Sequence, residues 1–370
     1  MYQLASGLAG RGHRAAVVTR PESEVAERAR RDGLDVVALP LRHELDLPSA
    51  RRLARVYEER NVEIVHAHKG IAHSVALAAT FFSKVRPGLV VNRGVSFPLD
   101  FFNRGKYHVR LAAVVTVCED IRRIVVDSGR IPEEKVHVVY AGVDPAVFDP
   151  ARADGPRVRR EWGVPPEAKL LVQVSAREYK GWRDLLAGAA RVIPAHPELR
   201  VALVACPDRS VEQAVEREAV RLRIGDRVLA IGYRNDMPDV LAAADVVADL
   251  SWGGLGITGT IREAMAIGKP VIASTAGGNP ELVEDGVSGL LVAPRDPPAF
   301  AAALEKVLGD ASLAARLGRG GRARIEAGFT VEKRLDRIEE LYARLISERA
   351  RRGASAEARS GDTSRGERRR

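Results

Sequence analysis

The sequence predicts an α/β protein built from two doubly wound domains, and three observations carry that reading. Short apolar runs alternate with amphipathic helical stretches along almost the whole chain, the rhythm of βαβ units with right-handed crossovers. At 370 residues the chain exceeds one ordinary core and fits two domains of typical size. The rhythm breaks once, from Asp149 to Gly155, where Pro150, Gly155 and Pro156 discourage regular structure and mark a linker.

The first half (1–149) opens on an amphipathic helix from Met1 to Gly10, with Leu4 and Leu8 one turn apart, closed by Gly10-Arg11-Gly12. Strands are expected at Ala15 to Thr19, Asp35 to Leu39, Glu63 to His68, Leu89 to Asn92 and Ala113 to Val117, with helices at 25–31, 50–60, 73–83 and 103–110. The second half (150–330) starts with a helix near Val158 to Trp162. Its strands are expected at Leu170 to Ser175, Val201 to Ala205, Val228 to Ile231, Val246 to Leu250, Val271 to Ala273 and Leu290 to Val292. Helices at 182–194, 210–222, 237–243, 297–308 and 311–327 alternate with them. A closing helix (331–348) buries Leu335, Ile338, Leu341, Tyr342 and Leu345 on one face. Residues 349–370 form a low-hydrophobicity tail, expected to be disordered.

Ser251 to Val283 reads SWGGLGITGTIREAMAIGKPVIASTAGGNPELV, a glycine-rich loop, a short helix carrying Glu263, a Gly-Lys-Pro turn, a buried strand and a second glycine loop. The glycines let a ligand approach the main chain directly. A helix starting near Thr258 to Thr260 offers unpaired N–H groups and the positive end of its dipole, a seat for phosphate. Glu263, within a turn or two, is placed to accept hydrogen bonds from the vicinal hydroxyls of a ribose.

The run REAMAIGKPVIAS resembles the donor signature of the retaining nucleotide-sugar glycosyltransferases of family 4, where the second of two glutamates separated by seven residues precedes Ala-Met-Ala-x-Gly-x-Pro-Val. The resemblance implies a GT-B fold: two Rossmann-like domains facing a cleft, with the closing helix crossing back to domain one. It makes Glu263 the ribose-binding glutamate and lines the donor with Gly256, Ile257, Thr258, Gly259, Thr260, Gly277 and Gly278. The first glutamate is missing: counting back reaches Leu255, or Gly253 with a two-residue insertion, and the nearest carboxylate is Asp249. Ala176 to Trp182 is similar to the family's Gly-Arg-x-x-x-x-Lys-Gly loop, which gives Arg177 and Lys180 the donor diphosphate; a cationic pair there neutralises charge as the glycosidic bond breaks. Val136 to Asp144 resembles the family's exit from the first domain, and Tyr233 and Arg234 would lie against the base.

On the acceptor side, Arg93 stands where many relatives carry a histidine that contacts the transferred sugar. It reads either as a surface loop residue or as a cation for an acidic acceptor or phosphate. Ser96 to Arg104, with Phe97, Phe101 and Phe102, reads as an acceptor lid or a buried aromatic cluster. His66 and His68 match a His-x-His that the family often has at a strand end. Chains of this family begin with a strand and glycine loop ahead of the helix ending LASGLAGRGH, so the resemblance implies one further strand upstream of Met1.

The implied activity is retaining, metal-independent transfer from a UDP- or GDP-sugar to a hydroxyl of a cell-envelope polysaccharide, lipopolysaccharide or glycolipid, with no cofactor. The rival is a non-catalytic nucleotide-sugar-binding partner subunit on the same fold, favoured by the vacant glutamate position, by Arg93 and by the absent first strand. An epimerase or a phosphorylase is a third reading.

Composition narrows the partners. No apolar run approaches the ~20 residues that span a bilayer, and no signal-peptide pattern is present, so a cytoplasmic protein is expected. Net charge +9 calls for an anionic partner. The last 20 residues hold seven arginines against three acidic residues, +4 of that excess. The remainder carries no zinc spacing or RNA-binding signature, which disfavours nucleic acid and leaves a phosphorylated ligand, with weak peripheral attraction to acidic lipid headgroups. Cys118 and Cys206 read as reduced, buried thiols with no metal role.

Overall fold

A computed structural model describes residues 1–253 and 256–366, apart from the side chains of Phe101, Phe102 and residues 352–366. The first domain runs α1 (Tyr2–Gly10), β1 (Ala16–Thr19), α2 (Glu24–Arg31), β2 (Asp35–Ala38), α3 (Leu47–Glu59), β3 (Ile64–Ala67), α4 (Gly70–Phe82), β4 (Gly88–Arg93), α5 (Phe101–Arg104), β5 (Leu111–Thr116), α6 (Glu119–Gly129) and β6 (Val136–Val138). β3, β4, β5 and β6 pair in that order and in parallel. β1 pairs only with β2, so among the described strands β1 and β3 each present an unpaired edge. One core serves both sheets: Val18 and Val37 pack with Leu53, Tyr57, Leu89 and Val114.

The start of α3 is fixed locally. Asp46 caps it, accepting the N–H groups of Arg42 and Ser49, each at 3.0 Å, and the Ser49 hydroxyl at 2.8 Å. The Arg42 hydrogen bond above all, joined by those from Ser49 and opposed by burial, holds the Asp46 carboxyl down to about 2 from its usual 3.8. A carboxyl held low stabilises the fold fully above its ordinary range, and that contribution is lost as pH falls toward the lowered value. Asp46→Ala is expected to cost about 1 kcal/mol at neutral pH in denaturant unfolding. The difference from wild type should shrink as pH drops from 4 toward 2.

The second domain runs α7 (Gly155–Glu161), β7 (Lys169–Val174), α8 (Trp182–Val192), β8 (Leu199–Val204), α9 (Arg209–Arg221), β9 (Val228–Ala230), α10 (Met237–Ala243), β10 (Val246–Asp249), α11 (Gly259–Ala266), β11 (Val271–Ser274), α12 (Asn279–Leu282), β12 (Leu290–Val292), α13 (Pro297–Gly309) and α14 (Ala311–Gly328). Its six strands are parallel in the order β12-β11-β10-β7-β8-β9, with an apolar core on each face. Both are Rossmann-like α/β domains. The last helix, α15 (Val331–Gly366), returns to domain one, where Leu335, Ile338 and Leu341 pack with Leu4, Leu8, Val90 and Val115.

Four expectations need correction. Sequence reading placed no helix between Val117 and Val136, yet α6 fills that stretch with Ile121 and Val125 buried one turn apart. The helix expected at 103–110 is only α5 and one 3-10 turn at Gly105–Tyr107, because Arg110 takes a left-handed φ of 54° and the chain enters β5 at once. The linker is shorter: Asp154 caps α7, and Pro156 sits in its first turn, where a missing N–H costs nothing. Finally, the backbone of α15 is helical past residue 348, to Gly366.

Candidate active site

β11, β10 and β7 are neighbours in the sheet, so the loops at their carboxyl ends lie side by side. Side chains and backbone stitch these loops together. The Ser274 hydroxyl donates to Ser251 O at 2.5 Å, and the N–H of Trp252 to Tyr179 O at 2.9 Å. Asn279, fully buried, accepts from Thr258 N–H at 3.1 Å and donates to Ser274 O at 3.1 Å. Gly278 N–H reaches Gly256 O at 3.2 Å, and Gly277 turns this last loop with φ 60°.

At the centre stands the start of α11. Thr258 precedes it without giving a side-chain cap; its hydroxyl is buried and has no hydrogen-bond partner. Donors left open at a helix start form an anion seat, and a buried hydroxyl without a partner there suits a ligand oxygen. Gly259 lies beside both the Arg262 guanidinium and the Glu263 carboxylate; a Cβ on it would be 3.9 Å from each. Burial raises the Glu263 carboxyl, with Arg262 opposing the shift. Burial likewise depresses Arg262, whose Nε has no partner.

Lys180 and Arg177 come from the loop after β7. Lys180 Nζ sits 3.0 Å from Asp249 Oδ2, while Arg177 is exposed. Asp249, the carboxylate nearest to the missing glutamate, is fully buried and also receives the Ser251 N–H and hydroxyl, so both its oxygens are engaged within the protein. Tyr233 is 80% exposed and free to cover a base. Arg234 is paired with Glu161 and Asp236, in a network that includes Arg157.

Across the cleft, the start of α6 meets these loops. The Glu281 carboxylate accepts the N–H groups of Glu119 and Asp120 at 2.8 and 3.2 Å, capping a helix of the other domain. Gly278 abuts Cys118: a Cβ on it would lie 2.6 Å from that of Cys118. Gly256 abuts Val117 in the same way, so part of the glycine pattern serves the domain seam. Arg93, ending β4, donates to Phe97 O at 2.5 Å and keeps its buried Nε without a partner. Phe97 is 64% exposed, not buried; the side chains of Phe101 and Phe102 are outside what the structure describes, and Gly254 and Leu255 lie outside the described residues. Among the described residues no group of three or more His, Cys, Asp or Glu could hold a metal, and both thiols are free and buried.

Two family models match this chain: glycosyl transferases group 1 over residues 168–310, and glycosyltransferase family 4 over residues 1–147. The chain belongs to the family 4 glycosyltransferases. Among its relatives is the N-acetyl-alpha-D-glucosaminyl L-malate synthase of Bacillus anthracis, 24% identical over 80% of this chain and 78% of that one. The D-inositol 3-phosphate glycosyltransferase of Stackebrandtia nassauensis is 34% identical over 64% of this chain and 55% of its own. The fold matches a Rickettsia africae glycosyltransferase at TM-score 0.84, 19% identical, over 93% of both chains. It also matches Anabaena HepE in complex with UDP at TM-score 0.80, 22% identical, over 92% of this chain and 94% of that one. The fold is therefore GT-B and the protein is a transferase.

In this glycosyltransferase, the role of Glu281 as a cap between domains is not legible in the sequence. The Pro-Glu pair after Gly277 and Gly278 stands in plain view, but nothing local points to its partner, α6. Burial, with Glu281 contributing, pushes the neighbouring Tyr140 phenol up to about 12. Glu281→Ala removes the cap between domains and is expected to enlarge the radius of gyration in small-angle scattering without nucleotide. An unchanged profile would show that this contact does not hold the cleft closed. The His66 and His68 rings stack at 4.4 Å, and His66 Nδ1 is 2.6 Å from the Tyr342 hydroxyl of α15. Burial lowers His66 and takes His68 down to about 3, so both are neutral and join β3 to the crossing helix.

Proposed function

We propose that this glycosyltransferase moves a sugar from a nucleoside diphosphate sugar to an acceptor hydroxyl with retention of configuration. One observation carries the reading: Lys180, Glu263 and the open start of α11 stand on loops tied to one another over three adjacent strand ends. In it, Glu263 accepts the ribose hydroxyls, the N–H groups of Gly259 and Thr260 and the Thr258 hydroxyl receive phosphate oxygens, and Lys180 and Arg177 neutralise the diphosphate as it departs. Ile257, Gly256, Gly277 and Gly278 border the transferred sugar, and Tyr233 closes over the base. A departing phosphate oxygen takes the acceptor proton, so no carboxylate base is needed where the family's first glutamate is missing.

Arg93 supports an acceptor bearing a negative charge, because its guanidinium ends a strand at the cleft with Nε unspent. The names of two relatives contain malate and inositol 3-phosphate, both of them anionic. The proposed setting is cell-envelope glycan or glycolipid synthesis on the cytoplasmic side of the membrane. No described helix is long and apolar enough to cross a bilayer, and the arginine-rich end of the chain would be drawn weakly to acidic headgroups.

The test is transfer from UDP- and GDP-sugars to a panel of neutral and anionic acceptors, with the product's anomeric configuration read by NMR. Retention with a nucleoside diphosphate leaving group is expected. An inverted product, or donor binding without transfer to any acceptor, would contradict the proposal.

A further inference from the structure

We propose that Asp249 is a positioning residue that holds the Lys180 ammonium in place for the donor diphosphate, an inference that rests on the donor-site reading above. Asp249 is the last residue of β10 and has no exposed surface. Its Oδ1 is fixed by the N–H of Ser251 at 3.0 Å and by the Ser251 hydroxyl, which leaves Oδ2 facing Lys180 Nζ at 3.0 Å. The Lys180 side chain is 13% exposed. β10 lies beside β7, so its end meets the loop that β7 delivers.

That loop is held by its backbone too. The fully buried Gln173 donates from Nε2 to Lys180 O at 3.2 Å. Gly181, at φ 69°, passes so close to the Leu250 carbonyl that any side chain would strike it. The backbone of Lys180 is thus held from β7 and its ammonium from the neighbouring β10.

A lysine on its flexible four-carbon stem otherwise samples many positions. An ammonium has three N–H donors; Asp249 takes one and leaves two for phosphate oxygens. Catalysis gains most from charges that need no reorganisation when the leaving group departs. No acidic residue separates Asp249 from Glu263, so this buried carboxylate is the only one the cradle sequence supplies between its first strand end and its helix.

The experiment is calorimetric titration of UDP and uridine, with GDP and guanosine in parallel, into wild type, Asp249→Asn, Lys180→Met and the double variant. The nucleotide that binds wild type serves for the comparison. Asp249→Asn is expected to weaken the diphosphate by about tenfold and the nucleoside not at all, the scale of one charge-assisted hydrogen bond. The double variant should bind the diphosphate no more weakly than Lys180→Met alone. A further loss in the double variant, or an equal loss for nucleoside and diphosphate in Asp249→Asn, would overturn the positioning role and leave Lys180 at the donor.

Unchanged diphosphate affinity in Lys180→Met, or no nucleotide binding by wild type, would overturn the donor-site reading and this inference with it. If Asp249→Asn does not fold, the double variant against Lys180→Met decides alone, because removing both charges leaves no unpaired ion in the interior.

Discussion

Lys180→Ala is expected to reduce turnover at saturating donor by about 100-fold or more, the usual consequence of deleting one charge that stabilises a leaving group. Its ammonium is among the few cations here that are both nearly buried and anchored: 13% exposed and 3.0 Å from Asp249. In that setting water screens it little, so its attraction for phosphate is stronger than that of a surface lysine. Arg177, exposed and held by no ion pair among the described residues, should matter less when substituted. Steady-state kinetics on protein verified as folded by circular dichroism makes the comparison. An unchanged rate would remove Lys180 from the mechanism.

Glu263→Gln is expected to weaken nucleotide binding by roughly 10-fold to 100-fold, the range for losing a charged acceptor of two hydroxyl donors. A nucleotide without ribose 2′ and 3′ hydroxyls should bind wild type and variant equally. The pH response follows from the same carboxyl. Burial raises it above its usual 4.5, and the protonated form accepts the ribose hydroxyls less well. Wild-type affinity should therefore fall on acidification before an ordinary carboxyl would titrate, while the glutamine variant stays flat. Titration calorimetry at several pH values reads both effects.

Much of this site can be read from residue order because its parts are local. A glycine loop, a helix start and Glu263 follow one another within a dozen residues, and strand ends in a parallel sheet all deliver their loops to one edge. What could not be read is pairing across distance. No sequence rule pairs Asp249 with Lys180, 69 residues before it; only the adjacency of β10 and β7 joins them. Glu281 and the α6 N-terminus are 162 residues apart and meet only where the two domains touch. Arg234 looked free because Glu161, its partner, lies on a helix 73 residues away.

Glycine carries a double meaning here that sequence cannot separate. Gly181 and Gly277 need their left-handed conformations, whereas Gly256 and Gly278 make room for Val117 and Cys118 of the other domain. Gly277 and Gly278 stand side by side, so one loop supplies both a left-handed turn and a contact with the other domain. In the proposed donor site the domain seam therefore adjoins the donor's seat, and changes at Glu281 should alter both.

The most direct test of the shared donor site is a crystal structure with UDP or an unreactive UDP-sugar bound. The diphosphate should lie on the first N–H groups of α11, within hydrogen-bond reach of Lys180 Nζ, with the ribose hydroxyls on Glu263. A nucleotide bound elsewhere, or bound with Lys180 and Glu263 both out of contact, would contradict the account.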